Sequence, residues 1–158
     1  MKQARDIVAR GQVLGNGRGP LVCIPIVGRS RTDILESVSA AVDDSPDLIE
    51  WRADFFENVT AKEKTIDLLA EVRASANDIP LIFTLRSERE GGEPVQMDDE
   101  GIADLCVDVC QSGQADFVDV EMSAPEALTQ NVLVAAKEND TQVVLSYHNF
   151  EATPALED

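Results

Sequence analysis

Residues 48–87, LIEWRADFFENVTAKEKTIDLLAEVRASANDIPLIFTLRS, decide the fold class of this chain. The segment 48–54 predicts a strand, the apolar helical period of 61–76 predicts a helix, and the segment 81–87 predicts a second strand. A helix that joins two strands through short connections is typical of a parallel βα unit. The stretch therefore predicts an α/β protein with a parallel sheet.

The same alternation continues on both sides of this stretch. Five strands with four helices between them are predicted, in the order strand 21–27, helix 32–42, strand 48–54, helix 61–76, strand 81–87, helix 98–111, strand 117–122, helix 125–138 and strand 142–150. Thr32 is the predicted N-cap of the first helix. Thr153-Pro154 is expected to open a further helix.

The first 19 residues are expected to form a hairpin or cap segment. Residues 4–8 and 12–14 predict two short strands around Arg10-Gly11, a dipeptide that suits a tight turn. No linker or low-complexity segment divides the 158 residues, so residues 1–158 are expected to form a single domain.

The charge composition narrows the function classes. The chain has 30 acidic and 13 basic residues and a formal net charge of −17 at pH 7, which disfavours binding to nucleic acid or to an anionic membrane surface. No apolar run reaches the roughly 18 residues that a membrane span needs, so a cytoplasmic protein is expected. Because the number of cysteines is odd, Cys23, Cys106 and Cys110 predict buried thiols in a reducing compartment rather than a disulfide framework.

Polar side chains share one face of the predicted sheet, near the C-terminal ends of four strands. Because side chains alternate along a strand, they fall into four groups, one from each strand: Glu50, Arg52 and Asp54; Thr84 and Arg86; Asp119 and Glu121; Ser146 and His148. Parallel strands bring these ends together, and ligands of parallel α/β proteins bind there. We therefore predict a functional site, with buried structural ion pairs as the alternative interpretation.

His148 is the only histidine of the chain and the candidate proton shuttle, because an imidazole titrates near neutral pH. Glu90, in the loop after the third of these five strands, is the candidate to orient it. The site has more carboxylates than guanidiniums, since only Arg52 and Arg86 oppose the acidic residues. We expect a lysine, a cationic intermediate or a divalent metal to complete it.

Four motifs of the sequence resemble type I 3-dehydroquinate dehydratases. In chain order they are Glu50-Trp51-Arg52-Ala53-Asp54, Phe83-Thr84-Leu85-Arg86-Ser87 with Glu90-Gly91-Gly92, Asp119-Val120-Glu121, and Ser146-Tyr147-His148-Asn149-Phe150. The first strand, from residue 20, is also similar to that family. The resemblance implies a (β/α)8 TIM barrel, of which this chain supplies an N-terminal hairpin and about five βα units, a truncated barrel.

The resemblance also implies an activity. The family belongs to the shikimate pathway of aromatic amino acid biosynthesis and is a hydro-lyase: it removes water from 3-dehydroquinate, its small-molecule substrate, to give 3-dehydroshikimate. The substrate ketone forms a Schiff base with a lysine, and neither a metal nor another cofactor is needed. By this resemblance His148 is the general acid and base, Glu90 orients it, and the expected substrate-binding residues are Glu50, Arg52 and Arg86. The expected supporting residues are Asp54, Asp119, Glu121 and Ser146.

The lysine that forms the Schiff base is expected on the strand after the one that carries His148, and this chain ends first. None of its lysines, Lys2, Lys62, Lys64 and Lys137, lies at a predicted strand end. The 158 residues alone are therefore expected to be inactive. Because open parallel edges invite pairing with another chain, a homo-oligomer such as a dimer, or a longer native protein, is expected.

Two other functions remain open at this point. In the first, a metal-dependent barrel enzyme, Mg²⁺ or Mn²⁺ would be held by Glu50, Asp54, Asp119, Glu121 and His148. The nearby guanidiniums of Arg52 and Arg86 argue against this, because they would repel the ion. In the second, the chain is a non-catalytic half-barrel that acts as a binding or assembly module.

Overall fold

The computed structural model of the protein describes residues 6–14 and 19–153. The strands and α-helices are, in chain order, β1 (Ile7–Ala9), β2 (Gln12–Leu14), β3 (Cys23–Ile26), α1 (Arg31–Asp43), β4 (Leu48–Arg52), α2 (Lys62–Ser75), β5 (Leu81–Thr84), α3 (Asp99–Ser112), β6 (Phe117–Glu121), α4 (Glu126–Glu138) and β7 (Gln142–Ser146). The start of the predicted first hairpin strand, at residues 4–5, and the helix predicted after residue 153 lie outside the described residues.

Strands β3 to β7 form one parallel sheet in the order of the sequence, and a helix follows each of the first four. Ile49 of β4 lies opposite Ile24 of β3 and Leu81 of β5, and Trp51 lies opposite Phe83. The predicted α/β class with about five βα units is confirmed. A parallel sheet that grows by one neighbouring strand per helix is typical of the (β/α) barrels.

The face of the sheet toward the helices is apolar. Trp51 and Phe83 are fully buried there and pack edge to face, with ring centroids 5.6 Å apart. Ile34, Leu69 and Leu105 of the helices belong to the same core. Burial stabilises the fold by about 1.5–3 kcal/mol for each such large side chain. Because successive side chains of a strand point to opposite faces, this packing turns the polar residues of β4 to β7 toward the other face.

The predicted hairpin is present and closes the N-terminal end of the sheet. Strands β1 and β2 pair antiparallel, and both residues of the turn between them have positive φ, 50° at Arg10 and 73° at Gly11, as a two-residue hairpin turn requires. Its first strand begins at Ile7 rather than at residue 4. Arg10 Nε donates to Asp116 Oδ1 at 2.7 Å, which fixes the hairpin at the end opposite the predicted site.

The first helix begins earlier than predicted, and Thr32 as its N-cap is wrong. The N-cap is Ser30, whose Oγ accepts a hydrogen bond from the Asp33 N–H at 3.2 Å. Asp33 Oδ2 accepts the Ser30 N–H in return at 3.1 Å. Ser30 is favoured because it has an acidic residue three positions later, which completes a reciprocal capping box.

All five strands of the parallel sheet end earlier than predicted, β3 and β6 by one residue and the other three by two residues or more. Strand β4 ends at Arg52 rather than Asp54, β5 at Thr84 rather than Ser87, and β7 at Ser146 rather than Phe150. After β4 and β5 the chain enters short 3₁₀ turns, Ala53–Phe55 and Glu88–Glu90. These turns carry predicted site residues out of the sheet plane, because a 3₁₀ turn does not keep the alternation of a strand.

The cysteine prediction is confirmed for two residues and wrong for one. Cys106 and Cys110 of α3 are buried free thiols, and burial raises their pKa to about 12 and about 11. Cys23 is a free thiol but is exposed, since β3 lies at an edge of the described sheet. No helix within the described ranges is both long and apolar enough to cross a membrane.

Candidate active site

Side chains from β4, β5, β6 and β7, and from the turns that follow them, meet at the C-terminal end of the sheet. The register places Asp119 opposite Val144, and Glu121 opposite Ser146, on one face. Glu50 lies on that face as well, and its Oε1 accepts a hydrogen bond from Thr84 Oγ1 at 2.7 Å. The structure therefore brings to one face those predicted polar residues that lie within β4 to β7, whereas Asp54, Arg86 and His148 lie beyond the strand ends.

Arg86 lies at the centre of a buried group of carboxylates. Its Nη2 lies 2.9 Å from Asp119 Oδ1, and its Nη1 lies 3.3 Å from Glu121 Oε1 and 3.6 Å from Glu90 Oε2. All four side chains are at most 8% exposed. Burial raises the pKa of Asp119 above its ordinary value, although the charge of Arg86 acts in the opposite direction. One guanidinium thus faces three carboxylates, and a further cation would relieve their repulsion.

Glu90 holds His148 through two contacts at one oxygen. Glu90 Oε2 accepts the backbone N–H of His148 at 2.9 Å and lies 3.0 Å from Nδ1 of its ring. Burial raises the pKa of Glu90, but hydrogen bonds from Ser123 and His148, together with the charge of Arg86, outweigh burial and hold it below the ordinary value. An ionised carboxylate can only accept, so Nδ1 carries the proton of this contact, and in the neutral ring Nε2 is left as the base. The His148 side chain is 42% exposed, so its ring remains accessible to a ligand.

Arg52 is held by the residue that follows the strand. Its Nε and Nη2 each donate to one oxygen of Asp54 at 2.8 Å, a bidentate pair that raises the pKa of Arg52 above its ordinary value. Asp54 Oδ2 also accepts the Glu93 N–H at 3.0 Å, which ties the turn after β4 to the loop after β5. Asp54 therefore positions Arg52 rather than facing a ligand itself.

Glu121 and Ser146 hold Arg86 and its neighbouring turn. Glu121 accepts two hydrogen bonds from Ser87, at 2.7 Å from the backbone N–H and at 2.6 Å from Oγ. Ser146 Oγ accepts from Arg86 Nη1 at 2.8 Å and donates to Asp119 Oδ1 at 2.9 Å. Ser146 thus fixes Arg86, and Glu121 fixes Ser87, the residue from which the turn that carries Glu90 starts.

Residues 22–158 match the family model described as Type I 3-dehydroquinase. The chain belongs to the type I 3-dehydroquinases. A 3-dehydroquinate dehydratase of Aromatoleum aromaticum is 36% identical over 158 residues, which is all of this chain and 61% of the relative. That of Shouchella clausii is 40% identical over 139 residues, 88% of this chain and 54% of the relative.

Solved structures of type I 3-dehydroquinase relatives have the same fold. The 3-dehydroquinate dehydratase of Geobacillus kaustophilus superposes with a TM-score of 0.91 at 35% identity, over 97% of this chain and 59% of that one. The type I enzyme of Clostridium difficile gives 0.93 at 34% identity, over 98% of this chain and 60% of that one. The predicted TIM-barrel family is confirmed, and the chain spans about 60% of the length of these relatives.

Sequence reasoning missed two hydroxyl residues that donate to the carboxylates of this site, Ser87 and Ser123. Ser123 Oγ donates to Glu90 Oε1 at 2.6 Å. The signal for Ser123 was present, because it continues the alternation of Asp119 and Glu121 by two residues. Ser87 gave no such signal, since it directly follows Arg86 and makes its contacts from a turn.

The metal-dependent alternative finds no support among the described residues. Within residues 6–14 and 19–153, no three His, Cys, Asp or Glu side chains are grouped so as to hold a metal ion. Two of the residues proposed for such a site are turned elsewhere: Asp54 toward Arg52, and Glu121 toward Ser87.

Proposed function

We propose that this chain supplies the acid/base part of the active site of a cytoplasmic 3-dehydroquinate dehydratase, which converts 3-dehydroquinate to 3-dehydroshikimate and water. The observation that carries the proposal is the Glu90–His148 pair beside Arg86, at the C-terminal ends of parallel strands. The names of its relatives and its family support the same activity.

In this proposal His148 both removes and returns a proton. Because Glu90 holds Nδ1–H, Nε2 is the base that takes the proton from the carbon next to the substrate's former ketone. An iminium at that ketone draws electrons and makes the neighbouring C–H bond easier to break. The imidazolium that forms faces an ionised carboxylate and then protonates the leaving hydroxyl. Water departs, and His148 returns to its starting state.

Glu50, Arg52 and Arg86 are proposed to bind the substrate. Arg52 is positioned by Asp54 and lies on the partly exposed side of the site, where its guanidinium suits a substrate carboxylate. Glu50 can accept hydrogen bonds from substrate hydroxyls. Arg86 is buried among carboxylates, so it contributes to substrate binding through its positive charge, which offsets theirs.

The binding of 3-dehydroquinate tests this proposal directly. We expect an NMR titration of the chain to shift the ring signals of His148, which need no assignment because the chain has one histidine. Arg52→Ala is expected to weaken the response about tenfold or more, the loss of a charged hydrogen-bonded pair. Arg89→Ala is the matched control, since Arg89 pairs with Asp99 on the surface. An unchanged His148 signal at saturating substrate would contradict the proposal.

The amine of the Schiff base is proposed to come from a lysine other than those on the described helices. Lys62 and Lys64 lie on α2 and Lys137 on α4, in the layer outside the sheet. Lys2 lies outside the described residues. The C. difficile relative was crystallised with covalent modified comenic acid, and a covalent intermediate is likewise part of this proposal.

Borohydride trapping checks the assignment of the lysine. We expect the peptides that carry Lys62, Lys64 or Lys137, from the 158-residue chain incubated with 3-dehydroquinate and borohydride, to keep their unmodified mass in mass spectrometry. The reason is that trapping requires an amine at the strand ends, where Lys62, Lys64 and Lys137 do not lie. A substrate-sized mass increase on any one of them would show that the proposed source of the amine is wrong.

A further inference from the structure

We infer that Ser123 is a positioning residue of this site: its hydroxyl fixes the carboxylate of Glu90 in the orientation that holds the His148 ring in the Nδ1–H tautomer. The inference rests on the proposed acid/base role of His148. It concerns the tautomer of His148, which can be measured whether or not the chain turns over substrate.

Ser123 reaches Glu90 from the end of β6. It lies two residues beyond Glu121 in the turn closed by the Ala124 N–H, which donates to Glu121 O at 3.1 Å. Ser123 Oγ lies 2.6 Å from Glu90 Oε1 and 3.5 Å from Glu121 Oε2. The single hydroxyl proton therefore goes to Glu90, the nearer carboxylate.

The two oxygens of Glu90 have separate partners. Oε1 accepts from Ser123, whereas Oε2 accepts the His148 N–H and faces Nδ1. The carboxylate group of a glutamate turns as a unit about the Cγ–Cδ bond, so fixing Oε1 also fixes the direction of Oε2. The hydroxyl of Ser123 therefore acts on His148 although the two residues do not touch in this network.

Arg86 competes for the same carboxylate. Its Nη1 lies 3.6 Å from Glu90 Oε2, longer than a direct hydrogen bond. A charge-assisted contact at normal distance would be stronger, so a Glu90 freed from Ser123 is expected to turn toward Arg86. That rotation lengthens the contact to Nδ1, and the ring then loses its preference for one tautomer.

The position of Ser123 makes the test clean. Ser123 is exposed, while the Glu90 carboxylate that it contacts is buried. Substitutions at Ser123 therefore leave the apolar core intact. Ser123→Ala and Ser123→Val both remove the hydroxyl, and Ser123→Thr keeps it with nearly the shape of Val.

The experiment reads the two ring nitrogens of His148 by long-range ¹H–¹⁵N NMR, at a pH where the ring is neutral. We expect the unsubstituted chain to be mainly in the Nδ1–H tautomer. Ser123→Ala and Ser123→Val are expected to lower the ratio of Nδ1–H to Nε2–H about threefold or more, the effect of losing one modest hydrogen bond. Ser123→Thr is expected to restore it. Ser87→Ala, which removes a hydroxyl from Glu121 and not from Glu90, is the matched control.

Two results would overturn the inference. One is an unchanged tautomer ratio in whichever of the Ala and Val variants retains a native-like amide spectrum. The other is a Thr variant that behaves like Val, because shape rather than the hydroxyl would then set the ratio. Either result leaves the 3-dehydroquinate titration unaffected, so a failed inference is distinguishable from a failed proposed function.

Discussion

At Glu90, burial and hydrogen bonding oppose each other, and hydrogen bonding prevails. Three hydrogen bonds and a guanidinium keep a carboxylate ionised although its side chain is only 3% exposed. Its pKa is therefore lower in the folded than in the unfolded chain. A group of this kind adds stability above the unfolded pKa, and that stability is lost as the pH falls through the folded pKa.

Glu90→Gln tests this linkage. We expect the substitution to lower the free energy of unfolding by about 2 kcal/mol at neutral pH, because charged hydrogen bonds are lost. Its stability should then fall less steeply than that of the unsubstituted chain as the pH drops through the acid range. Urea unfolding at several pH values measures both effects. Glu88→Gln is the control, since Glu88 is exposed and lies in the same turn. If the stability of the Glu90→Gln protein changed with pH as steeply as that of the unsubstituted chain, the linkage would be refuted.

At the scale of the elements, local patterns predicted the strands and helices, and tertiary contacts decided where they end. The apolar alternation through Ile49 and Trp51 identified β4 and its buried face, because period-two burial is a local property. The early end of β7 was not predictable in this way. It depends on the bond from His148 N–H to Glu90, which lies 58 residues away in the chain.

Local sequence patterns likewise predicted one part of the candidate site, and tertiary contacts decided the other. Strand alternation predicted the shared face of Asp119 and Glu121, since both lie within β6. It could not predict that Ser87 would donate to Glu121, or that Ser123 would reach Glu90, because each contact involves a turn and joins residues 33 or more positions apart. A sequence shows which side chains share a strand face, whereas the partners that saturate each carboxylate depend on the geometry of the turns.

The turn after β5 depends on one glycine. A Cβ at Gly92 would lie 2.1 Å from the carbonyl oxygen of Arg86, a backbone atom that no side-chain rotation can move away. We expect Gly92→Ala to lower the free energy of unfolding by about 3 kcal/mol, the upper range for overpacking. It should also displace Glu90, because the Gly92 N–H closes this turn onto Ser87 O at 2.8 Å.

Chemical denaturation and the His148 ring signals measure the two effects of Gly92→Ala. Gly101→Ala is the control, because its Cβ would lie nearest a side-chain oxygen of Asp98, at 3.2 Å, and alanine favours a helix. A Gly92→Ala protein with native stability and an unchanged His148 spectrum would show that the turn tolerates a side chain.

At the scale of the whole molecule, two features act against each other. The described sheet leaves β3 and β7 each with one neighbour, and apolar side chains near β7 are exposed, among them Leu145 at 55% and Phe150 at 78%. Open parallel edges and apolar surface favour association with another chain. The formal net charge of −17 opposes association between two copies, because like charges repel.

For the 158 residues taken alone, we propose that the balance between these features gives a salt-dependent homodimer. Salt screens the repulsion between copies, while the pairing of sheet edges and apolar surface is not weakened by it. We therefore expect sedimentation velocity to show a dimer whose share grows about severalfold between low and physiological ionic strength, where the screening length falls to roughly 8 Å.

Leu145→Lys adds a charge to the exposed apolar surface at β7 and should reduce the dimer at every salt concentration. Lys137→Glu, on α4, makes the net charge more negative without changing the surface at β7, so it is the control for charge alone. A dimer that depends on the edge surface would survive this substitution at high salt. A protein that stays monomeric throughout would show that repulsion outweighs the open edges.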